Sequence, residues 1–302
     1  MFGKIMVPLD GSKLAERALG PAVTLGRCWQ AQLLLVRVPV YRQLLVPGAS
    51  GYGMFLPEAE RQDSRSEVNA YLQACRSELG YPRQMIQTRQ ASGDVAGTIV
   101  DMAMTEAVDL IVMTTHGYSG FTRWMLGSVT ERVLRSAPCP VLALRTKSTL
   151  QRMVVTLDGS ALSEQALEPG LALARGLGAE VTLVRVDQEA DLNAVEMSLL
   201  SLSEPELSRH LATDDCRAGY YLECLAEKYG GPDFPVATAL LSGLPAQGIL
   251  AYVDRHDVDL VVMATHGYTG LRRWVYGSVT EKVLRGLGCA LLVVRPPADL
   301  LH

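Results

Sequence analysis

Two short runs of the sequence combine residue types suited to holding an anion. Gly127-Ser128-Val129-Thr130 and Gly277-Ser278-Val279-Thr280 each put a glycine and a hydroxyl where the pattern that follows starts a helix. The first N–H groups of a helix lack intrahelical partners and carry partial positive charge, so they favour a phosphate or carboxylate. Glycine lets the backbone approach such a group with no Cβ in the way. Gly117 and Gly267 open the same loop, each separated by nine residues from the second glycine, and follow Thr114-Thr115-His116 and Ala264-Thr265-His266. A different chemistry explains the serines equally well. Ser128 to Glu131 and Ser278 to Glu281 are S-x-x-E patterns, the signature of a capping box. Asp10 and Asp158, each followed by Gly-Ser, read either as carboxylates facing a ligand or as Asx-turns after a strand. His116 and His266 stand beside the loop, and no carboxylate or serine partner is evident for acid–base work. Arg123, Arg272 and Arg273 are within reach of a phosphate or are solvated loop residues.

These runs belong to a longer repeat. From Val108 to Arg135, 20 of 28 positions are identical to Val258–Arg285. GKIMVPLDGS near the start answers QRMVVTLDGS at Gln151, and AQLLLVRV at Ala31 answers AEVTLVRV at Ala179. The period is one whole domain, so the chain is a duplication rather than a solenoid. The expected division is 1–147 and 148–302, with no room for a long linker. Two halves joined so closely are expected to pack as an intramolecular pseudo-dimer, with a homodimer also open.

The elements that must position the runs alternate. KIMVPL, AQLLLVRV, RQMIQTRQ, DLIVMT and CPVLALR are short apolar or β-branched stretches expected as strands. Between them lie helical patterns: Lys13–Cys28, a second with Val68, Tyr71, Leu72, Cys75 and Leu79 on one face, a third from Asp94, and a fourth from Gly127. Strict alternation predicts an α/β fold, two tandem doubly wound domains, each a five-stranded parallel sheet flanked by helices. Ligands of such sheets sit beyond the carboxyl ends of the strands, where strand order reverses. That places Asp10 with Gly117 in one crevice and Asp158 with Gly267 in the other. The segments 39–66 and 187–215 fit the alternation poorly and are candidates for lids, contact segments or loops folded on their own domain.

Bulk properties narrow the classes. The chain has 302 residues, a net charge of −4 and 20% charged residues, so nucleic acid and anionic membranes are not expected as partners. Its six cysteines form no C-x-x-C pair and read as small buried hydrophobes. The N-terminus lacks the basic region of a signal peptide, and no stretch approaches the ~20 apolar residues of a membrane helix. A cytoplasmic location is expected. Neither the P-loop pattern nor G-x-G-x-x-G after the first strand occurs, which argues against P-loop enzymes and dinucleotide dehydrogenases.

The pattern Gly117, YSGFTRWML, Gly127-Ser128 resembles the nucleotide-binding motif of the universal stress protein family, G-x-x-G, nine residues, then G-[ST], and Gly267, YTGLRRWVY, Gly277-Ser278 resembles it again. The family's first motif glycine falls at Thr114 and Ala264, which departs from the pattern. The resemblance implies a Rossmann-like fold of the adenine nucleotide alpha hydrolase type. It implies binding of ATP or a related adenine nucleotide with Mg²⁺ or Mn²⁺, the ion held through the phosphates, and a stress-linked regulatory role with no defined reaction. The positions it maps onto the site are Pro8, Asp10, Val38, Thr114, His116, Gly117, Gly127, Ser128, Val129 and Thr130, then Asp158, Val186, Ala264, His266, Gly267, Gly277, Ser278, Val279 and Thr280. Val38 and Val186 correspond to the residue that meets adenine through its backbone. Alanine takes less room than threonine, so the second half is expected to bind nucleotide at least as well as the first. The competing expectation is a nucleotide-independent interaction protein that keeps the motif for folding. A weak ATPase needs a positioned base or nucleophile, and none is evident.

Overall fold

The computed structural model describes residues 2–39, 45–48, 51–54, 58–115, 127–145, 150–187, 204–265 and 277–295. Between 45 and 64 and between 204 and 216 it describes the backbone. Twelve strands are defined among these residues: β1 (Lys4–Pro8), β2 (Gln32–Arg37), β3 (Leu45–Gly48), β4 (Gly51–Met54), β5 (Ile86–Gln90), β6 (Leu110–Thr114), β7 (Val141–Leu144), β8 (Arg152–Leu157), β9 (Glu180–Asp187), β10 (Val236–Ser242), β11 (Leu260–Ala264) and β12 (Ala290–Val294). Packing divides the chain into two compact units, one formed by the described residues up to Cys139, the other by those from Pro140 onward.

In the first unit four parallel strands run in the order β6-β1-β2-β5. In the second, β10-β9-β8-β11-β12 are parallel, and β7 lies antiparallel to β12 with Leu142 opposite Leu292. The strand that closes the first repeat in sequence is thus packed with the second unit. Both sheets reverse order at their first strand, β1 between β2 and β6, β8 between β9 and β11. The ends of β1 and β8 therefore lie at the switch points where such sheets open a crevice. Strands covered on both faces are apolar throughout, and β6 and β12 are buried at every position.

The helices follow the apolar periodicity, with one difference. The pattern Lys13–Cys28, expected as one helix, forms two, Lys13–Glu16 and Leu19–Trp29. Pro21 has no N–H to offer the carbonyl of Arg17, and its ring crowds that carbonyl, so the chain restarts. Pro169 divides Ala161–Glu164 from Leu167–Leu177 in the same way. Helix Glu58–Glu78 buries Val68, Leu72 and Cys75, and Gly80 ends the run at φ +56°. Helix Glu204–Tyr229 is its counterpart and takes up residues 204–215 of the second poorly patterned segment, while β3, β4 and the start of Glu58–Glu78 take up much of the first. Residues 188–203 lie outside the described residues.

Both sheets are tied at the edge away from the switch point by one aspartate. Asp109 Oδ2 accepts from the N–H groups of Gly3 and Lys4 at 2.8 and 2.9 Å, and Asp259 Oδ2 from those of Gln151 and Arg152 at 3.1 Å each. These satisfy donors at the start of β1 and β8 that no neighbouring strand reaches. Of the cysteines with described side chains, Cys75, Cys139 and Cys289 are buried and Cys28 and Cys224 exposed, all as free thiols. Burial pushes the Cys139 thiol up to about 12, so it stays protonated. No helix of the described residues is long and apolar enough to cross a membrane.

Candidate functional site

The site begins where β8 ends. Asp158-Gly159-Ser160 turns sharply, with Gly159 at φ +86°, a conformation in which an L side chain is strained. Asp158 Oδ1 accepts from the Ser160 amide at 2.9 Å and the Ser160 hydroxyl at 2.6 Å. Ser163 braces the turn, its Oγ accepting from the Asp158 amide and donating to the Ser160 carbonyl. Burial alone would raise the Asp158 pKa. The bonds from Ser160 and Ser163 outweigh it and hold the carboxyl below its ordinary value. Asp158 is therefore a fixed carboxylate whose hydrogen bonds among the described residues fall on Oδ1, leaving Oδ2 for a ligand. The first repeat has the same turn, Asp10 Oδ1 accepting from the Ser12 amide at 2.9 Å and Gly11 at φ +88°. The Asx-turn, one of the two readings of the sequence, is formed in both repeats.

Across the crevice β6 and β11 lead toward the helices Ser128–Ser136 and Ser278–Gly286. Their cap residues are Gly127 (φ −61°, ψ 142°) and Gly277 (φ −55°, ψ 147°), and no side chain caps either helix. The capping box expected from S-x-x-E is not formed. Glycine takes the cap position, so the serine becomes the first helical residue and its hydroxyl is too far along to cap. Glu131 and Glu281 instead bond forward to Arg135 and Arg285, at 2.7 and 2.8 Å. The first backbone bonds of each helix come from the N–H groups of Glu131 and Glu281. Among the described residues the N–H groups of Ser128, Val129 and Thr130, and of Ser278, Val279 and Thr280, have no backbone acceptor. Neither glycine has a positive φ, so its use here is the missing Cβ and not backbone freedom.

Thr130 anchors its helix to the strand end, its buried Oγ1 donating to the Thr114 carbonyl at 3.0 Å. The Gly127 amide donates to the Thr115 carbonyl at 2.8 Å, bringing the two ends of the motif together. Thr114 and Ala264 are the last residues of β6 and β11, with strand backbone rather than a positive φ. Their Cβ atoms thus impose no backbone strain where the motif has glycine.

In the second repeat these parts enclose one cavity of about 460 Å³. Asp158, Val186, Ala264, Gly277, Ser278, Val279 and Thr280 line it, together with residues that sequence reasoning missed: Ser163, Arg185, Asp187, Pro245, Ile249 and Met263. In the first repeat, Pro8 ends β1 and Val38 is buried just past β2. His116, Gly117, His266 and Gly267 lie outside the described residues, as do Arg123, Arg272 and Arg273. The missed arginine had a signal, since VRV is written at the end of the second strand in both repeats. Arg37 and Arg185 lie 4.7 and 5.5 Å from the ring centroids of Tyr71 and Tyr221, whose hydroxyls donate to Glu16 and Glu164 at 3.3 and 3.0 Å. Burial, then the bond to Glu164, raises the Tyr221 pKa, so it remains a neutral donor. Among the described residues no three of His, Cys, Asp and Glu gather to hold a metal ion.

Comparisons with known proteins agree with this architecture. The model of the universal stress protein family matches residues 1–145 and again 149–295. Universal stress protein YxiE of Bacillus subtilis is 33% identical over 150 residues, 48% of this chain and all of that protein. Universal stress protein Mb2028c of Mycobacterium bovis is 24% identical over 305 residues, 96% of each chain. A universal stress protein from Archaeoglobus fulgidus has the same fold, with a TM-score of 0.68 at 20% identity, covering 98% of this chain and 99% of that one. A twofold family match that accounts for nearly every residue, on a sheet that reverses at β1 and again at β8, leaves one conclusion: the chain belongs to the universal stress protein family and carries two of its domains in tandem.

Proposed function

We propose that the protein binds adenine nucleotide, ATP with Mg²⁺ or Mn²⁺, as a stress-linked regulatory module without a defined catalytic reaction. The observation that carries this reading is the pair of uncapped helix starts behind Gly127 and Gly277, the second facing Asp158 across a cavity. A cavity of about 460 Å³ lies within the range that small-molecule sites occupy. The phosphates rest on the N–H groups of Ser278, Val279 and Thr280, with the Ser278 hydroxyl beside them. Asp158 Oδ2 accepts from the sugar or base, and the Val186 backbone borders the base. A divalent ion carried on the phosphates would neutralise their charge, the described residues supplying N–H donors and not a ligand cluster. The first repeat offers the same parts around Asp10, Gly127 and Ser128, and the second binds at least as tightly.

The repeats meet at 147/148 in this reading and act as an internal pair, in the cytoplasm, with homodimerisation as a further level and neither nucleic acid nor membrane as partner. The same glycines separate this reading from a nucleotide-independent interaction protein that keeps the motif for folding. Titration calorimetry of the full chain with Mg-ATP, together with mass spectrometry of nucleotide carried through purification, is the test. Saturable binding with up to two sites per chain is expected. A folded chain that takes up no nucleotide at millimolar concentration overturns the proposal.

A further inference from the structure

A positive charge stands at the ligand edge of each repeat with no ion-pair partner among the described residues. Arg185 lines the second cavity and is held from two sides. A Cβ built on Gly159 would lie 2.8 Å from its Nη1, and Tyr221, tethered to Glu164, lies beneath the guanidinium. The first repeat builds the same arrangement, Arg37 Nη2 standing 2.8 Å from a Cβ on Gly11 with Tyr71 and Glu16 behind it. Among the described residues neither guanidinium forms an ion pair or a hydrogen bond. A half-buried guanidinium presents a planar fork of N–H donors suited to two acceptors side by side, and leaving it unpaired is unfavourable.

Its place in the sheet says which part of a ligand it meets. The order β9-β8-β11 puts Arg185 two strand spacings, about 10 Å, from the strand that leads to the uncapped helix. Its backbone therefore stands on the far side of β8 from the proposed seat of the 5′-phosphates. In the dinucleotide-binding form of such sheets, an acidic residue about twenty positions after the first turn takes a ribose hydroxyl, and an arginine nearby accommodates a phosphate carried on the sugar. β8 and β9 are the first and second strands of this repeat, and Asp158 and Arg185 face the same cavity from them.

We propose that the second cavity accepts nucleotides bearing a phosphate on the ribose in addition to the 5′-phosphate, with Arg185 as the residue that takes it. Asp158 accepts from the hydroxyl that remains. The inference rests on the nucleotide reading above and adds the class of nucleotide.

The test is titration calorimetry of the full chain with adenosine 5′-monophosphate, adenosine 3′,5′-bisphosphate and adenosine 2′,5′-bisphosphate. One bisphosphate should bind about tenfold or more tighter than the monophosphate, the scale of a charge-assisted, two-point contact. Which of the two it is identifies the hydroxyl concerned. Arg185→Ala should erase that advantage and leave the monophosphate within about twofold, as expected for a contact confined to the added phosphate. Arg185→Lys, which keeps the charge but not the fork, should retain part of it. Arg37→Ala reports on the first repeat separately. Equal affinities in the native chain overturn the inference. So does an equal loss for all three ligands in Arg185→Ala, which would make the arginine a brace for the Gly159 turn. If circular dichroism shows Arg185→Ala unfolded, Arg185→Gln, closer in volume, is read instead. ATP bound without ribose-phosphate preference sinks this inference alone, whereas a folded native chain that binds neither ATP nor any of the three sinks the nucleotide reading as well.

Discussion

The turn after the first strand is written Leu-Asp-Gly-Ser in both repeats, yet the two copies are tied differently. In the first, Asp10 receives the Ser12 amide, and Ala15 stands where the second repeat has Ser163. In the second, Asp158 receives both the amide and the hydroxyl of Ser160, and Ser163 braces the loop from behind. The first repeat has its own additional ties away from the ligand edge. Tyr81 is buried and its hydroxyl meets the carbonyls of Ala31 and Gly26 at 2.6 and 3.0 Å, where Gly231 follows the equivalent helix in the second repeat. Asp94 caps helix Val95–Thr105 and takes both ends of the Arg132 guanidinium, where the second repeat has Leu244 and Lys282. Duplication has let one copy accumulate ties that hold its fold and the other ties that hold its carboxylate.

The comparison is sharpest at the glycine caps. Gly277→Val puts a branched side chain where phosphate oxygens meet the helix N–H groups, and the second site should lose about 100-fold in affinity for Mg-ATP, or ~2.7 kcal/mol. Gly127→Val should remove the weaker site. Calorimetry on each variant checks the order, and a larger loss from Gly127→Val would reverse it.

Tyr81→Phe removes the hydroxyl that donates to the buried Ala31 carbonyl and should cost about 1–3 kcal/mol in urea unfolding. That loss belongs to the first unit, so Mg-ATP affinity at the second site should stay unchanged. Asp158 sets the next effect. Its carboxyl pKa is held below the ordinary value in the folded state, so its contribution to stability is full above the unfolded pKa of about 3.9 and disappears as pH falls through the lower folded value. Asp158→Asn should therefore flatten the acid limb of a melting-temperature profile below about pH 4. Asp94→Asn, which keeps an acceptor to cap Val95–Thr105, should give the smallest effect, a slight fall in melting temperature confined to the first unit, because both partners of the ion pair it breaks are exposed.

Much of this was legible in the residues. Apolar runs such as Leu110–Met113 and their copies in the second half have no other stable place than a doubly covered parallel sheet, and a repeat of that length makes a second domain unavoidable. The helix start stayed open between two readings for a physical reason. S-x-x-E gives the spacing of a capping box but not which residue leaves helical dihedrals, and here the preceding glycine does. Thr114 and Ala264 could not be judged without a backbone angle, which strand geometry supplies. Arg37 and Arg185 passed as ordinary strand residues because their partners, Tyr71 and Tyr221, lie 34 and 36 positions away on helices whose polar first turns concealed their length.

The antiparallel pairing of β7 with β12 has a consequence for how the molecule can be divided. The seam of the repeat falls after β7, but the seam of the packing falls before it, between Cys139 and Pro140. A fragment beginning at Ser148 would keep every residue of the second repeat and still bare the apolar edge of β12, an invitation to stick to itself or to another copy. Carrying its neighbour's last strand on the same chain supplies that cover at high effective concentration, whatever the concentration of the protein.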